Sequence, residues 1–126
     1  MANSVITLQA KNKLLRARAG EGTATKIVGF AFGSGGVDSK GNVLIPSSEQ
    51  TALNNELIRK EVSNVIMQSD TRCTYECKLE LNDVPGASIS EMGVYDEDGD
   101  FIAFVNFGAK MKSNDVEMTF QIDDVF

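Results

Sequence analysis

Residues 72–81 read Arg-Cys-Thr-Tyr-Glu-Cys-Lys-Leu-Glu-Leu, and polar and apolar side chains alternate along them without a break. Because successive side chains of a β-strand point to opposite faces, this period of two predicts a strand with one face in the core and one in water. Tyr75 and Leu79 are predicted to point inward, and Glu76 and Lys78 outward. A half-buried strand of this kind is typical of an antiparallel sheet.

Further strands are predicted around this stretch. The turn Asp-Glu-Asp-Gly-Asp at 96–100 separates two apolar segments and is typical of a hairpin. Residues 59–67 have a weaker strand pattern, and the alternative is that the second helix described below continues through them. The predicted strands are residues 25–32, 59–67, 73–81, 89–95, 101–107 and 116–122.

Two short helices are predicted before most of these strands. Thr7 is the predicted N-cap of the first helix, whose apolar positions recur at helical spacing before Gly20 ends it. Ser47 and Gln50 have the capping-box spacing and predict the second helix, with Leu53 on its apolar face. The predicted fold class is therefore α+β, with two short N-terminal helices packed on a mainly antiparallel sheet, in one domain over residues 1–126.

The sequence offers little for catalysis or for binding a cofactor. It contains no histidine, which excludes Ser-His-Asp and Cys-His pairs as well as histidine metal ligands. The acidic turn 96–100 lacks the EF-hand spacing, so a hairpin turn is the preferred interpretation and a weak calcium site the alternative. Cys73 and Cys77 would lie roughly 13 Å apart along one strand, beyond disulfide distance, which predicts two reduced thiols. No enzymatic activity, metal or cofactor is expected.

The distribution of charge argues against nucleic acid as a partner. The net charge is −6, with +4 in residues 1–26 and −9 in residues 80–126, whereas a nucleic-acid-binding protein needs a basic surface. The longest apolar run, residues 101–105, is far too short to cross a membrane, and no membrane insertion is expected. The glycine-rich loop at 33–46 lacks the Gly-Lys-Ser/Thr ending of a phosphate-binding loop, and is predicted to be a flexible loop.

Several ordered segments resemble the bacteriophage tail-collar fibre family, the N-terminal part of tail fibres from phages and phage-tail-like bacteriocins. They are residues 27–36 (Ile-Val-Gly-Phe-Ala-Phe-Gly-Ser-Gly-Gly), residues 50–57 (Gln-Thr-Ala-Leu-Asn-Asn-Glu-Leu), and residues 89–103, followed by Lys110 and Lys112. The resemblance implies a non-enzymatic structural virion protein, assembled in the bacterial host cytoplasm. It would attach a fibre or receptor-binding protein to the baseplate, as an adaptor and commonly as a trimer. The alternative is a small host-surface module that binds carbohydrate with the loop 33–46.

A partner interface is predicted on the strand 101–107. Large apolar side chains occupy both of its faces, and two short helices could cover only one face of the sheet. An uncovered apolar face marks a protein–protein interface, and a symmetric trimer would also bring basic helices against acidic surfaces. The competing account is a monomer in which the loop 33–46 covers the strand. The predicted interface residues are Phe101, Phe104, Val105, Phe107, Arg16 and Arg18.

Overall fold

The computed structural model describes residues 2–126 and consists of two antiparallel sheets packed face to face, with one helix outside them. The alternating stretch forms a strand as predicted, but this strand ends at Leu79, two residues before the predicted end. The elements are β1 (Ala2–Ile6), α1 (Leu8–Arg18), β2 (Ile27–Gly33), β3 (Glu56–Glu61), β4 (Asn64–Ser69), β5 (Arg72–Leu79), β6 (Ser88–Asp96), β7 (Phe101–Met111) and β8 (Met118–Val125). None of the helices in this described part is long and apolar enough to span a lipid bilayer.

The main hydrophobic core lies between the two sheets. The larger sheet has the strand order β1-β7-β6-β2-β3 and the smaller one β4-β5-β8. Apolar side chains from alternate positions of both sheets meet here, because a strand presents every second residue to the same face. Leu79 and Cys77 of β5 are fully buried in this core, while Lys78 is exposed. Tyr75 packs against this core, as predicted, but is only half-buried. Glu76, which was predicted to be exposed, is also half-buried.

A second, smaller core covers the opposite face of the larger sheet. Ala31, Phe101 and Phe104 pack there against Leu53, which belongs to the long irregular segment 34–55 between β2 and β3. The guanidinium group of Arg59 lies over the ring of Phe101, 5.1 Å from its centre, and also over the ring of Tyr95. Neither face of the central strands is therefore open to solvent in this region.

Helix α1 begins where predicted. The Thr7 hydroxyl accepts a hydrogen bond from the Ala10 backbone N–H at 3.1 Å and donates one to the Phe101 carbonyl oxygen at 2.8 Å. It therefore caps the helix and fixes the helix start to β7. Gly20, just after the helix, has a φ of +83°, the left-handed conformation that glycine adopts most easily. No residue of α1 is fully buried.

The predicted fold class is wrong in one part, the second helix, and the strands differ from the prediction in two places. The second helix does not form: Ser47 and Gln50 make only local turn hydrogen bonds, and Leu53 packs on the sheet. Residues 2–126 therefore form a mainly β fold with one helix. The capping-box side chains satisfy nearby backbone groups in a turn as well as in a helix. Strand β1 was not predicted, because Ala2–Ile6 is short and its pairing partner, β7, lies about 100 residues away in sequence. The predicted strand 59–67 is divided between β3 and β4.

Candidate functional site

The predicted interface phenylalanines are part of the core of the chain. The exposed fractions of Phe101, Phe104 and Phe107 are 3%, 0% and 8%, and Val105 is half-buried. Phe107 and Val105 point into the core between the sheets, whereas Phe101 and Phe104 lie on the opposite face beneath Leu53. The premise of an uncovered apolar face is therefore wrong, because the smaller sheet covers one face and the segment 34–55 covers the other.

The remaining predicted interface residues, Arg16 and Arg18, are both exposed on α1. Arg16 pairs with Glu21 at 3.5 Å between two exposed side chains, a contact that contributes little to stability. Leu8 and Leu15, seven residues apart and so on one side of the helix, are also exposed. The outer face of α1 thus combines apolar side chains with positive charge.

A buried carboxylate, that of Glu91 in β6, holds the segment 34–55 against the larger sheet. Its Oε2 atom accepts hydrogen bonds from the backbone N–H groups of Gly35 at 2.7 Å and Asn55 at 2.8 Å, and its Oε1 atom accepts one from Asn54 at 2.8 Å. Next to it, the Ser90 hydroxyl accepts from the backbone N–H of Gly36. One side chain thus joins both ends of the segment, where the sequence predicted a flexible loop at 33–46 followed by a helix.

Gly36 is required at its position by close packing against β6. A Cβ atom there would overlap the backbone carbonyl of Ser90, so no other residue fits without moving the loop. The groove beside the loop is lined by polar and aliphatic residues and by no aromatic ring. Its lining residues are Leu44, Ile45, Pro46, Ser47, Glu49, Gln50, Asn54 and Asn106. It therefore lacks the aromatic surface on which sugar rings usually stack.

The acidic turn between β6 and β7 binds the ammonium group of Lys13. Oxygen atoms of Asp96, Asp98 and Asp100 lie within 4.8 Å of one another, and Lys13 Nζ is 2.7, 3.1 and 2.7 Å from them. The ammonium group occupies the place that a metal ion would need. The cluster consequently fastens α1 to the hairpin, a role that the sequence did not indicate because Lys13 is 83 residues from Asp96.

Opposing effects set the pKa of Asp96. Burial by itself raises the pKa of this carboxyl group, but hydrogen bonds from Lys13, Thr25 and the backbone N–H of Asp100 outweigh it and hold the pKa below its ordinary value of 3.8. Burial likewise lowers the pKa of the Lys13 ammonium, and the three carboxylates more than reverse this effect and raise it. Both groups are therefore charged at neutral pH.

The Lys13–Asp96 contact is expected to make stability depend on pH. Because the pKa of Asp96 is lower in the folded than in the unfolded chain, the contact stabilises the fold above about pH 4, and this stabilisation is lost as the pH falls through the folded-state pKa. Lys13→Met is expected to cost about 2 kcal/mol at pH 6 and much less at pH 2. Melting curves from pH 2 to 6 measure this, with Lys11→Met on the same helix as the control. If the stability lost in Lys13→Met were the same at every pH, the proposed role of the Lys13–Asp96 contact would be contradicted.

Lys112 is a second lysine whose contacts the sequence did not indicate. Its side chain is fully buried, and its ammonium group donates hydrogen bonds to the carbonyl oxygens of Leu81 at 3.1 Å and Ser113 at 2.8 Å. It ties the loop after β5 to the end of β7. The resemblance to the family marked this lysine by position only, and burial of its charge among backbone carbonyls indicates a structural role.

The two thiols are free and differ in their surroundings. Cys77 is fully buried and Cys73 half-buried, and burial raises the pKa of the Cys77 thiol to about 11. Because the thiolate is the reactive form, alkylation of the folded protein at pH 8 is expected to add one label quickly, at Cys73. Cys77 should react only after unfolding. Intact mass spectrometry measures this, and two rapid labels, or a mass two hydrogens short, would contradict it.

Comparison with known families identifies the chain. The family model described as phage tail-collar fibre protein, N-terminal, matches residues 1–122 of the 126 residues. The chain belongs to the phage tail-collar fibre protein family. No curated protein sequence matches it significantly. As a tail-collar fibre domain, it has a structural role in a phage tail, is a virion component and associates with other phage tail proteins; a structural family of this kind indicates a non-enzymatic function.

Proposed function

We propose that this tail-collar fibre domain is an adaptor that attaches a fibre or receptor-binding protein to the baseplate of a phage tail or phage-tail-like contractile injection system. The observation that carries the proposal is the match to the family over residues 1–122. The matched residues include α1, the whole larger sheet and, apart from the last residues of β8, the smaller sheet. Assembly of the particle would take place in the cytoplasm of the bacterial host.

The exposed side chains of α1 supply a surface suited to such an adaptor. Leu8 and Leu15 offer apolar contact area, and Arg16 and Arg18 offer positive charge beside it. Residues 80–126 carry a net charge of −9, and exposed carboxylates outside the Lys13 cluster, such as those of Glu97 and Asp115, give a second copy of the chain negative charge to place against this helix. We therefore propose that Arg16 and Arg18 lie in a contact between copies, in a trimer such as the family resemblance implies.

The attachment is tested on particles that lack the protein. Electron microscopy of a phage with this protein deleted is expected to show tails without fibres, and supplying the protein in trans should restore them. The Arg16→Glu/Arg18→Glu variant should restore few fibres, whereas Lys40→Glu, a charge reversal at an exposed loop residue, should restore them fully. Deleted particles that keep their fibres would overturn the proposal. Binding of the isolated protein on a glycan array would instead favour the carbohydrate-binding alternative.

A further inference from the structure

The four outer strands of the two sheets differ in how they are protected from pairing with another strand. An outer strand leaves backbone donors and acceptors free to pair with another chain, and charged side chains usually discourage this. Strand β3 carries four charged residues among six, and β8 carries two aspartates. Strands β1 and β4 carry no charge at all. These two edges are therefore the ones open to pairing.

Of these two, β4 has the more apolar exposed surface. Val65 and Met67 are 52% and 66% exposed, and both lie on the same face of the strand. They stand opposite Tyr75 and Cys73 of β5, which are themselves only half-buried, so the four side chains form one continuous patch. In β1 the exposed positions are Ala2, Ser4 and Ile6, of which only Ile6 is large and apolar.

We infer that β4 pairs with β4 of a second copy of this chain, antiparallel and about a two-fold axis at Ile66. The two small sheets would then form one continuous six-stranded sheet. The contact is separate from the trimer contact proposed above for α1, and it goes beyond the attachment role without depending on it. Its occupant follows from the sequence of the strand itself, Asn-Val-Ile-Met-Gln-Ser over residues 64–69.

The register of this pairing is determined by which side chains it would place opposite one another. A two-fold axis perpendicular to the sheet keeps each side chain on its own face. Such an axis lies midway between one residue and the same residue of the second copy, and that residue defines the register. With the axis at Ile66, Val65 faces Met67, Asn64 faces Gln68, and Ile66 faces itself. Apolar residues thus meet apolar residues, and the two amides can hydrogen-bond across the strands.

The neighbouring registers are poorer. An axis at Val65 would place Asn64 opposite Ile66, and an axis at Met67 would place Ile66 opposite Gln68. Both put an amide against an apolar side chain on the same face and leave the Val65–Met67 pair unformed. Only the register at Ile66 matches every pair by polarity, with no like charges opposed.

One introduced cysteine in a Cys73→Ser background, where the remaining thiol of Cys77 is fully buried, tests this register directly. In the Ile66→Cys variant the two introduced residues would be directly opposite, with Cα atoms about 4.5–5.5 Å apart, a distance at which a disulfide forms. Mild oxidation of the folded protein is therefore expected to convert most of it to a covalent dimer. Gln68→Cys is the matched control, because each Cys would lie four residues, roughly 13 Å, from its equivalent along the strand. Equal yields at both positions, or no dimer from Ile66→Cys, would overturn the inference.

Analytical ultracentrifugation provides a second measurement, the concentration at which the chain without introduced cysteines changes from monomer to dimer. Ile66→Lys would place two positive charges opposite each other and is expected to raise the concentration needed for pairing by about tenfold or more. Ile45→Lys makes the same change at an 85% exposed position outside both proposed contacts between copies, and should leave that concentration unchanged. Circular dichroism confirms that each variant is folded. An unchanged midpoint in Ile66→Lys would contradict the pairing, while fibre attachment in particles reports separately on the proposed function.

Discussion

Replacing Phe104 with alanine is expected to lower the free energy of unfolding by about 3–5 kcal/mol, the usual cost of truncating a buried aromatic side chain. Phe104 has no exposed surface, and its ring packs against Phe101 with 4.9 Å between ring centres, beneath Leu53. The substitution leaves a cavity that the surrounding β-sheet cannot easily close. Chemical denaturation measures the loss.

Phe126→Ala is the matched control for this experiment. The same side chain is removed there from a position that is 76% exposed, and the expected change is within about 0.5 kcal/mol. The pair also separates the two roles considered for Phe104. If Phe104→Ala kept the stability of the wild type but lost self-association, the residue would belong to an interface, as the sequence alone suggested, and its assignment to the core would be wrong.

Replacing Glu91 with glutamine is expected to cost about 3 kcal/mol, because a carboxylate that receives three backbone hydrogen bonds becomes a neutral amide with one acceptor oxygen. The amide NH₂ group would face a backbone N–H that also needs an acceptor. Besides lowering the free energy of unfolding of the whole domain, the substitution should loosen the segment 34–55 locally. Amide hydrogen exchange at residues 34–36 and 53–55 is expected to accelerate before exchange in the strands does.

Glu49→Gln makes the same chemical change at an exposed position of the same irregular segment. It is expected to alter neither stability nor exchange. Comparable effects from the two substitutions would show that the Glu91 carboxylate does not hold the segment. A global loss of stability with unchanged local exchange would show that it acts on the sheet alone.

The sequence predicted those parts of the fold that depend on local alternation. Strand β5 and the hairpin of β6 and β7 follow from patterns within about ten residues, and Thr7 and Gly20 gave the bounds of α1. The second helix was wrong, because a capping-box spacing is also satisfied in a turn. Strand β1 could not be found locally, since five residues of mixed polarity become a strand only when β7 is there to pair with them.

The candidate site was harder to predict, because its contacts join residues far apart in sequence. The sequence shows that Phe101, Phe104 and Phe107 place large apolar side chains on both faces of one strand. What covers them, a second sheet and Leu53, depends on the topology. Glu91 and Lys13 look like ordinary surface charges in the sequence. Only the folded structure brings the Glu91 carboxylate to three backbone N–H groups. It likewise brings the Lys13 ammonium group to three aspartates.

The pairing of β1 with β7 also determines when the larger sheet can be completed during synthesis. Ala2 stands opposite Phe107, and the Thr7 hydroxyl donates a hydrogen bond to the Phe101 carbonyl oxygen. Strand β1 therefore has no pairing partner until the ribosome has added about 100 more residues. Ordering a chain over such a separation is entropically costly, and proteins dominated by such pairings fold in milliseconds to seconds rather than microseconds. The N-terminal strand therefore cannot take its place in the larger sheet until β7 has been synthesised.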